Sequence, residues 1–450
     1  MKIHKPIKLF IPKPILNIIT ENMKRNTENY IYIIHYILSR PTKDKRYNDF
    51  APINKQNIDS VINCNSNYYI KILEKYELIE SDNTYTPNKK ALYYRINPKY
   101  KIELTYYFIY PESKLFHNLH KLIKNQKTNY SKLEPYLYNM AKEFMSIQYD
   151  FDNALKWINS IEDESKKIVY TIAINQFSDV RFRYFKRNNT NNRLDTNLTN
   201  LKKELRQFII GDFVSIDLKN SQPFLLSILL EKIAKILNYF YLKNLDINKY
   251  TLEGIFNNKH LPLCLQNDIL NLAKYFGLQA FKSLLLIRKN HEFSFFTNLS
   301  TFKKWVSDGI FYDEFMNKYE NEITRDEVKK IMFGVLFSQN RTYINHRLII
   351  PYQKEKEIFA SVFPVIYEII KILKEKEHNK LAIYLQRIES NLFIDNVAKN
   401  LVEIGIIPIT IHDSIIIPEY QKGKALNLIK DVFKKEFGII PAFHIETLKN

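Results

Sequence analysis

Two aspartates and one helical stripe supply the groups in this chain that suit polyphosphate chemistry. Asp217 lies in FVSIDLKNSQPFLLSILL, and Asp413 lies 196 positions later in PITIHDSIIIPE. An acid among such apolar neighbours is costly to bury unless it is paired or bound to a metal. Magnesium is held by one or two carboxylates together with phosphates and water, so two acids suffice if the fold joins them. A pair of such ions roughly 3.5–4 Å apart can serve both the attacking and the leaving oxygen of a displacement. Between the acids, TRDEVKKIMFGVLFS places Arg325, Lys329, Phe333 and Phe337 at successive spacings of four. That spacing keeps side chains on one helical face. Two cations followed by two aromatics suit the phosphates and then the base of a nucleoside triphosphate.

The elements that must position these groups are legible nearby. Phe213, Val214 and Ile216 alternate before Asp217, which predicts a strand, then a turn over Lys219–Pro223. A helix follows through Leu225, Leu226, Ile228, Leu229 and Leu230. The isoleucine-rich runs on either side of His412-Asp413 predict a buried β-hairpin with that pair at its tip. Thr324 is expected to cap the middle helix, with Asp326 and Glu327 in its first turn. Gly334 inside that helix costs about 1 kcal/mol relative to alanine, which predicts a close neighbour. Each segment alone also has a plainer reading. Either aspartate is then an ordinary turn residue, and the helix an amphipathic one whose aromatics belong to the core.

Taken in order, the three segments resemble family A DNA polymerases, whose superfamily includes the phage and mitochondrial single-subunit RNA polymerases. The family's middle motif is matched by Arg325, Lys329, Phe333-Gly334 and Phe337, with Ser338 in place of a final glycine. His412-Asp413-Ser414 is the form of the last motif found in the RNA polymerases; the DNA polymerases have Glu third. Asp217 opens the first motif, and Gln222 stands where the DNA polymerases carry a glutamate that excludes a 2′-hydroxyl. NRLDTNLTNLKKELR and YLQRIES are weaker echoes. They suggest Arg193 as a minor-groove contact and Gln386 as a template or primer contact. The resemblance covers about 190–450.

It implies an α+β right-hand polymerase fold, with an antiparallel palm sheet and helical fingers and thumb. The expected division is a thumb-like region over 111–190, palm over 191–230 and 361–450, and fingers over 231–360. It also implies two Mg²⁺ ions at Asp217 and Asp413, with Mn²⁺ able to substitute and the Leu218 carbonyl a further ligand. Arg325 and Lys329 would hold the triphosphate, with Lys329 also protonating the leaving pyrophosphate. Phe333 would pack on sugar and base, Phe337 under the templating pair, Gln222 near the sugar, and His412 at the primer end.

Residues 1–110 are expected to form a DNA-binding winged-helix domain. Helices are predicted over Tyr30–Leu38, Ile53–Ile62 and Ser66–Tyr76, followed by a β-wing with turns at Asp82-Asn83 and Pro87–Lys90. The third helix offers Asn65, Asn67, Tyr68 and Lys71 to a major groove, while Lys89, Lys90 and Arg95 would meet phosphates. The competing reading is a winged helix used only for packing. No paired acids with proofreading-nuclease spacing precede the thumb region, so no 3′–5′ exonuclease is expected.

A net charge of +19 suits a polyanionic partner, although Lys- and Asn-heavy usage in an AT-rich genome gives the same excess. Two cysteines provide neither a metal framework nor a disulfide scaffold, which points to a reducing cytoplasm. Eight glycines leave no glycine-rich phosphate loop, and no apolar run approaches a membrane span. The expected protein is a DNA-directed DNA polymerase of a mobile element, phage or plasmid, with primer–template and nucleoside triphosphates as partners. Its rivals are an RNA polymerase or primase on the same scaffold and a non-catalytic replication initiator.

Overall fold

Alternation at a period of two builds the sheet that carries both aspartates. In the computed structural model, Phe213–Leu218 is flanked by Ser414–Pro418 on one side and Phe443–Leu448 on the other. Ile409–Ile411 adds an outer strand, and every pairing is antiparallel. The structure describes residues 5–40, 50–83, 92–100, 103–126, 130–243, 262–291, 294–319, 322–344 and 346–448. Successive strand side chains face opposite sides. Val214, Ile216, Leu218, Ile415 and Ile417 therefore enter one core, while Ile409, Ile411 and Ile416 enter another. Both faces are covered, which is why Ile415-Ile416-Ile417 is apolar without a break.

The turn after the central strand is tighter than the sequence suggests. Asn220 adopts a left-handed conformation, and the helix Ser221–Leu242 begins at once. Pro223 falls inside its first turn, where a missing N–H costs nothing. This helix packs in the large core with Leu263–Phe276, Leu278–Asn290, Ser294–Ser307, Arg325–Phe337 and Pro364–Lys374. Gly309 pins the helical region to the sheet. At its φ of 75°, a Cβ would stand 2.7 Å from that of Ala442. The Ala442 N–H donates to the Ser307 carbonyl, and the Lys219 N–H donates to the Ala442 carbonyl. The helices Asn379–Ser390 and Lys399–Glu403 are joined by a π-helical stretch, Asn391–Ala398.

The other face of the sheet is covered by Pro135–Ser146, Phe151–Asn159 and Glu164–Ser178. Buried Arg183 ties the ends of the first and third of these together, donating to the carbonyls of Phe177, Phe144, Met145 and Ile147.

A third core belongs to the amino-terminal part. Thr27–Leu38, Lys55–Ile62 and Ser66–Lys75 are helical, close to their predicted bounds. Tyr93–Ile96 lies between Ala51–Pro52 and Ile79–Ser81 in an antiparallel sheet. Most of the expected wing, including Lys89 and Lys90, lies outside the described residues. One pairing had no sequence signal: Ile7–Pro12 forms a strand against Leu104–Ile109. Pro12 ends that strand, and Pro14 occupies the first turn of the helix Lys13–Asn22, both positions that tolerate proline. Among the described residues no helix is long and apolar enough to cross a membrane.

Candidate active site

The sheet register brings the two aspartates together. Asp217 pairs with Ser414 on one side and with His444 on the other. Residues directly opposite in an antiparallel pair share a face. The Leu218 N–H donates to the Asp413 carbonyl at 3.3 Å, so the hairpin tip lies along the end of the central strand. His412 takes the left-handed conformation that turns the tip. The Ser215 hydroxyl donates to Asp217 at 3.2 Å and lies 2.6 Å from the Ser414 hydroxyl.

Burial pushes the Asp413 carboxyl up, and the charge of Asp217 raises it further, against the lowering effect of Ser221 and Arg193. The two acids therefore repel in a partly desolvated setting, and a divalent cation relieves such a pair. Among the described residues no group of three or more His, Cys, Asp or Glu is placed to hold a metal. Two carboxylates fit an ion that completes its shell with phosphate and water. His412 is exposed. Its pKa is nonetheless pushed down to about 4, first by the protein around it and then by Arg193 and Arg206.

The cation–aromatic helix is Arg325–Phe337, started by a reciprocal cap between Thr324 and Glu327. Val328, Ile331, Met332, Val335 and Leu336 are buried, whereas Arg325 and Lys329 are exposed and Phe333 is 51% exposed. The stripe is thus presented through Arg325, Lys329 and Phe333, while Phe337 is half-buried against the large core. Arg325 pairs with Asp313 at 2.9 Å and lies over the Tyr312 ring at 4.9 Å; Lys329 pairs with Asp326 at 2.8 Å. Exposed pairs of this kind contribute roughly 0–1 kcal/mol and exchange readily for another anion. Tyr312 is the ring beneath Arg325. Burial raises its hydroxyl pKa, and both Arg325 and Asp413 act on it.

Gly334 has the close neighbour that its position predicts. A Cβ there would come within 2.7 Å of the Tyr352 Cβ. The Phe333 ring centroid is 5.4 Å from that of Phe337 and 5.8 Å from that of Tyr352. Two buried lysines secure the carbonyl end of the helix: Lys374 donates to Val335, and Lys356 donates to Gln339. Cations are favourable at that end, although burial pushes their pKa values down to about 7 and about 8. Gly334→Ala should force Tyr352 away. Overpacking of about 1–3 kcal/mol outweighs the helix-propensity gain of about 1 kcal/mol. The expected result is a lower melting temperature than wild type; an unchanged one would show that Tyr352 moves freely.

Arg193 and Gln222 converge on Glu389, a residue that the sequence reading did not single out. Glu389 is 1% exposed and accepts from Arg193 at 2.6 Å and from Gln222 at 3.2 Å. Its pKa is pushed up to about 7 by burial, with Arg193 pulling it down. The signal was present: Leu381, Leu385 and Glu389 recur every fourth residue, placing an acid on a buried helical face. Gln386 accepts from Asn191 at 3.1 Å, which docks the Arg193 loop on the same helix. Among the described residues, Arg193 Nε, Gln222 Oε1, Glu389 Oε1 and Asn220 Nδ2 are buried without a hydrogen-bond partner. Such orphaned groups cost roughly 1–3 kcal/mol each unless a ligand or water satisfies them. His444 and Tyr312 were also missed, since neither stands in a motif.

The amino-terminal residues form a separate group. Asn65 caps the helix Ser66–Lys75, Asn67 accepts from Lys55, and Tyr68 and Lys71 are exposed. Arg95 is paired with Glu80 and lies over the Phe50 ring.

No protein-family model and no curated protein matches the chain. Among solved structures it is similar to the POL domain of Pol1 from M. smegmatis, determined in complex with DNA primer-template and dNTP. That likeness is at 11% identity over 74% of this chain, with a TM-score of 0.26, and it spans 65% of the other chain's length.

Proposed function

We propose that the chain is a metal-dependent nucleotidyltransferase that extends a nucleic-acid primer on a DNA template, without proofreading. The observation that carries this reading is the meeting of Asp217, on the central strand, with the hairpin tip that bears Asp413. Asp217, Asp413 and the Leu218 carbonyl would hold two Mg²⁺ ions, or Mn²⁺. When bound, the ions supply charge stabilisation at the attacking and leaving oxygens. The protein's own groups do the positioning, which dominates phosphoryl transfer. Arg325 and Lys329 exchange their carboxylate partners for triphosphate, and Lys329 donates the proton to pyrophosphate. Phe333 and Phe337 pack on the base and templating pair. Arg193, Gln386 and His412 align the primer end, and Gln222 lies against the sugar.

The order of elements in the amino-terminal body supports a winged helix. The sequence helix, strand, helix, helix, strand, strand builds the order first–third–second in its sheet. Its third helix presents Asn65, Asn67, Tyr68 and Lys71 to a major groove.

One feature favours ribonucleotides as a second reading. The last motif ends in Ser414, and no glutamate follows Asp217 at the position that excludes a 2′-hydroxyl. Primer extension with dNTPs and with NTPs in one assay decides between the readings. dNTP incorporation with weaker use of NTPs is expected. No incorporation of either leaves a DNA-binding initiator in its place. Arg325→Ala and Lys329→Ala should each raise the apparent KM for the nucleotide about tenfold or more, since a charge-assisted contact is worth about 1.5–3 kcal/mol. Primer–template affinity should stay within a factor of about two. A loss of DNA affinity without a nucleotide defect would move these residues to the duplex.

A further inference from the structure

The site described above leaves the segment 338–354 unused. It contains Arg341, Arg347 and Lys354 and neither Asp nor Glu. Thr342–Ile344 and Arg347–Ile349 pair as an antiparallel hairpin. Tyr343 is 69% exposed, Leu348 57%, and Ile349 and Ile350 39% each. A two-stranded hairpin is marginally stable by itself, and contiguous exposed apolar side chains mark an interaction surface. Tyr352 follows two residues after Ile350. Its φ of 55° is one that a bulky residue holds only under constraint. Its side chain packs on Gly334, and its ring lies beside Phe333. The exposed aromatic surface of the proposed nucleotide site therefore leads to the hairpin.

We propose that this hairpin, with Tyr343, Arg347 and Leu348, binds the unpaired template strand ahead of the templating position. The chemistry selects a single-stranded nucleic acid. Arg341 is held by Glu375 at 2.8 Å, which leaves Arg347 and Lys354 to suit a phosphate backbone; exposed aromatic and aliphatic side chains suit base faces, which a duplex hides. Stacking on one base is worth roughly 1–3 kcal/mol. Naming the strand as template rests on the polymerase reading; the binding of a single strand does not.

The test uses the full chain and two labelled duplexes, one with a one-nucleotide and one with a twelve-nucleotide 5′ overhang. Their affinities are compared by fluorescence anisotropy at several salt concentrations. Wild type should bind the long overhang about tenfold more tightly. The Tyr343→Ser/Leu348→Ser double variant should lose most of that preference. It should keep its short-overhang affinity and its incorporation on a short-overhang template. Both replaced residues are exposed, so the melting temperature should hold. Arg347→Glu should make the salt dependence of long-overhang binding shallower. The proposal is overturned if wild type shows no overhang preference, or if the double variant keeps it. It is equally overturned if the double variant abolishes a concentration-dependent dimer seen by sedimentation and leaves the overhang preference intact. A wild type that prefers the long overhang and incorporates nothing would sink the polymerase reading and leave the single-strand surface standing.

Discussion

Asp217→Ala and Asp413→Ala should each lower single-turnover nucleotide incorporation on the order of a thousandfold, about 4 kcal/mol of transition-state stabilisation. The expectation rests on the register. The central strand and the hairpin tip place one carboxylate each, and among the described residues no group of three or more His, Cys, Asp or Glu is placed to hold a metal. Fold loss is a separate matter, and Asp413→Asn isolates it. Asp413 is partly buried beside Asp217, and like charges in that setting oppose folding. A neutral side chain of the same shape removes the repulsion, so metal-free Asp413→Asn should melt no lower than wild type. Mg²⁺ should raise the melting temperature of wild type, because a ligand of the folded state stabilises it. It should have little effect on Asp413→Asn. Near wild-type incorporation by either alanine variant would remove the metal assignment. An equal Mg²⁺ response in wild type and Asp413→Asn would place the ion elsewhere.

The second large effect concerns Glu389. Glu389→Ala leaves the Arg193 guanidinium, only 18% exposed, without its carboxylate. Removing one partner of a buried pair costs about 3–5 kcal/mol, a large part of the stability of an ordinary domain. Glu389→Gln keeps an acceptor for Arg193 and for Gln222, so its cost should be far smaller. The two variants also separate charge from packing through pH. Glu389 titrates from an ordinary value of 4.5 up to about 7 in the folded chain. Between those values the folded state holds a proton that the unfolded state has released. Stability from this group is therefore full below about pH 4.5, falls as pH rises towards 7, and is flat above. Glutamine does not titrate. Urea melts at pH 5 and pH 8 should show wild type losing stability relative to Glu389→Gln as pH rises, by up to about 3 kcal/mol. A gap that stays constant between the two pH values would mean that the pair remains ionised throughout. Glu389→Ala should also disturb alignment of the primer end, because Arg193 and Gln222 lose a shared anchor.

Much of the local structure was legible because local rules set it within a few residues. Alternation at Phe213, Val214 and Ile216 marked a strand. The isoleucines around His412-Asp413 marked a hairpin. Thr324 and Glu327 marked a helix start, and Gly334 announced a close neighbour. Spacings of four put Arg325, Lys329 and Phe333 on one face. Only packing decided that this face is presented to solvent: Val328, Ile331 and Val335 on the opposite side fill the large core. The turn at Asn220 came out shorter than predicted, because one left-handed residue reversed the chain where several were allowed for.

What the tertiary structure alone decided are the contacts between residues far apart in the chain. The meeting of Asp217 with Asp413, of Arg193 and Gln222 with Glu389, of Arg325 with Tyr312, and of Gly334 with Tyr352 all depend on how helices and sheet close on their cores. So does the pairing of Ile7–Pro12 with Leu104–Ile109. Amphipathic patterns state that a face must be covered and leave open by what. The partner of a buried acid such as Glu389 is chosen when three segments pack. By itself the sequence determined the candidate groups, their order and the elements that bear them. Long-range packing, driven by non-directional apolar burial and narrowed by the need to satisfy buried polar groups, decided which of them face one another.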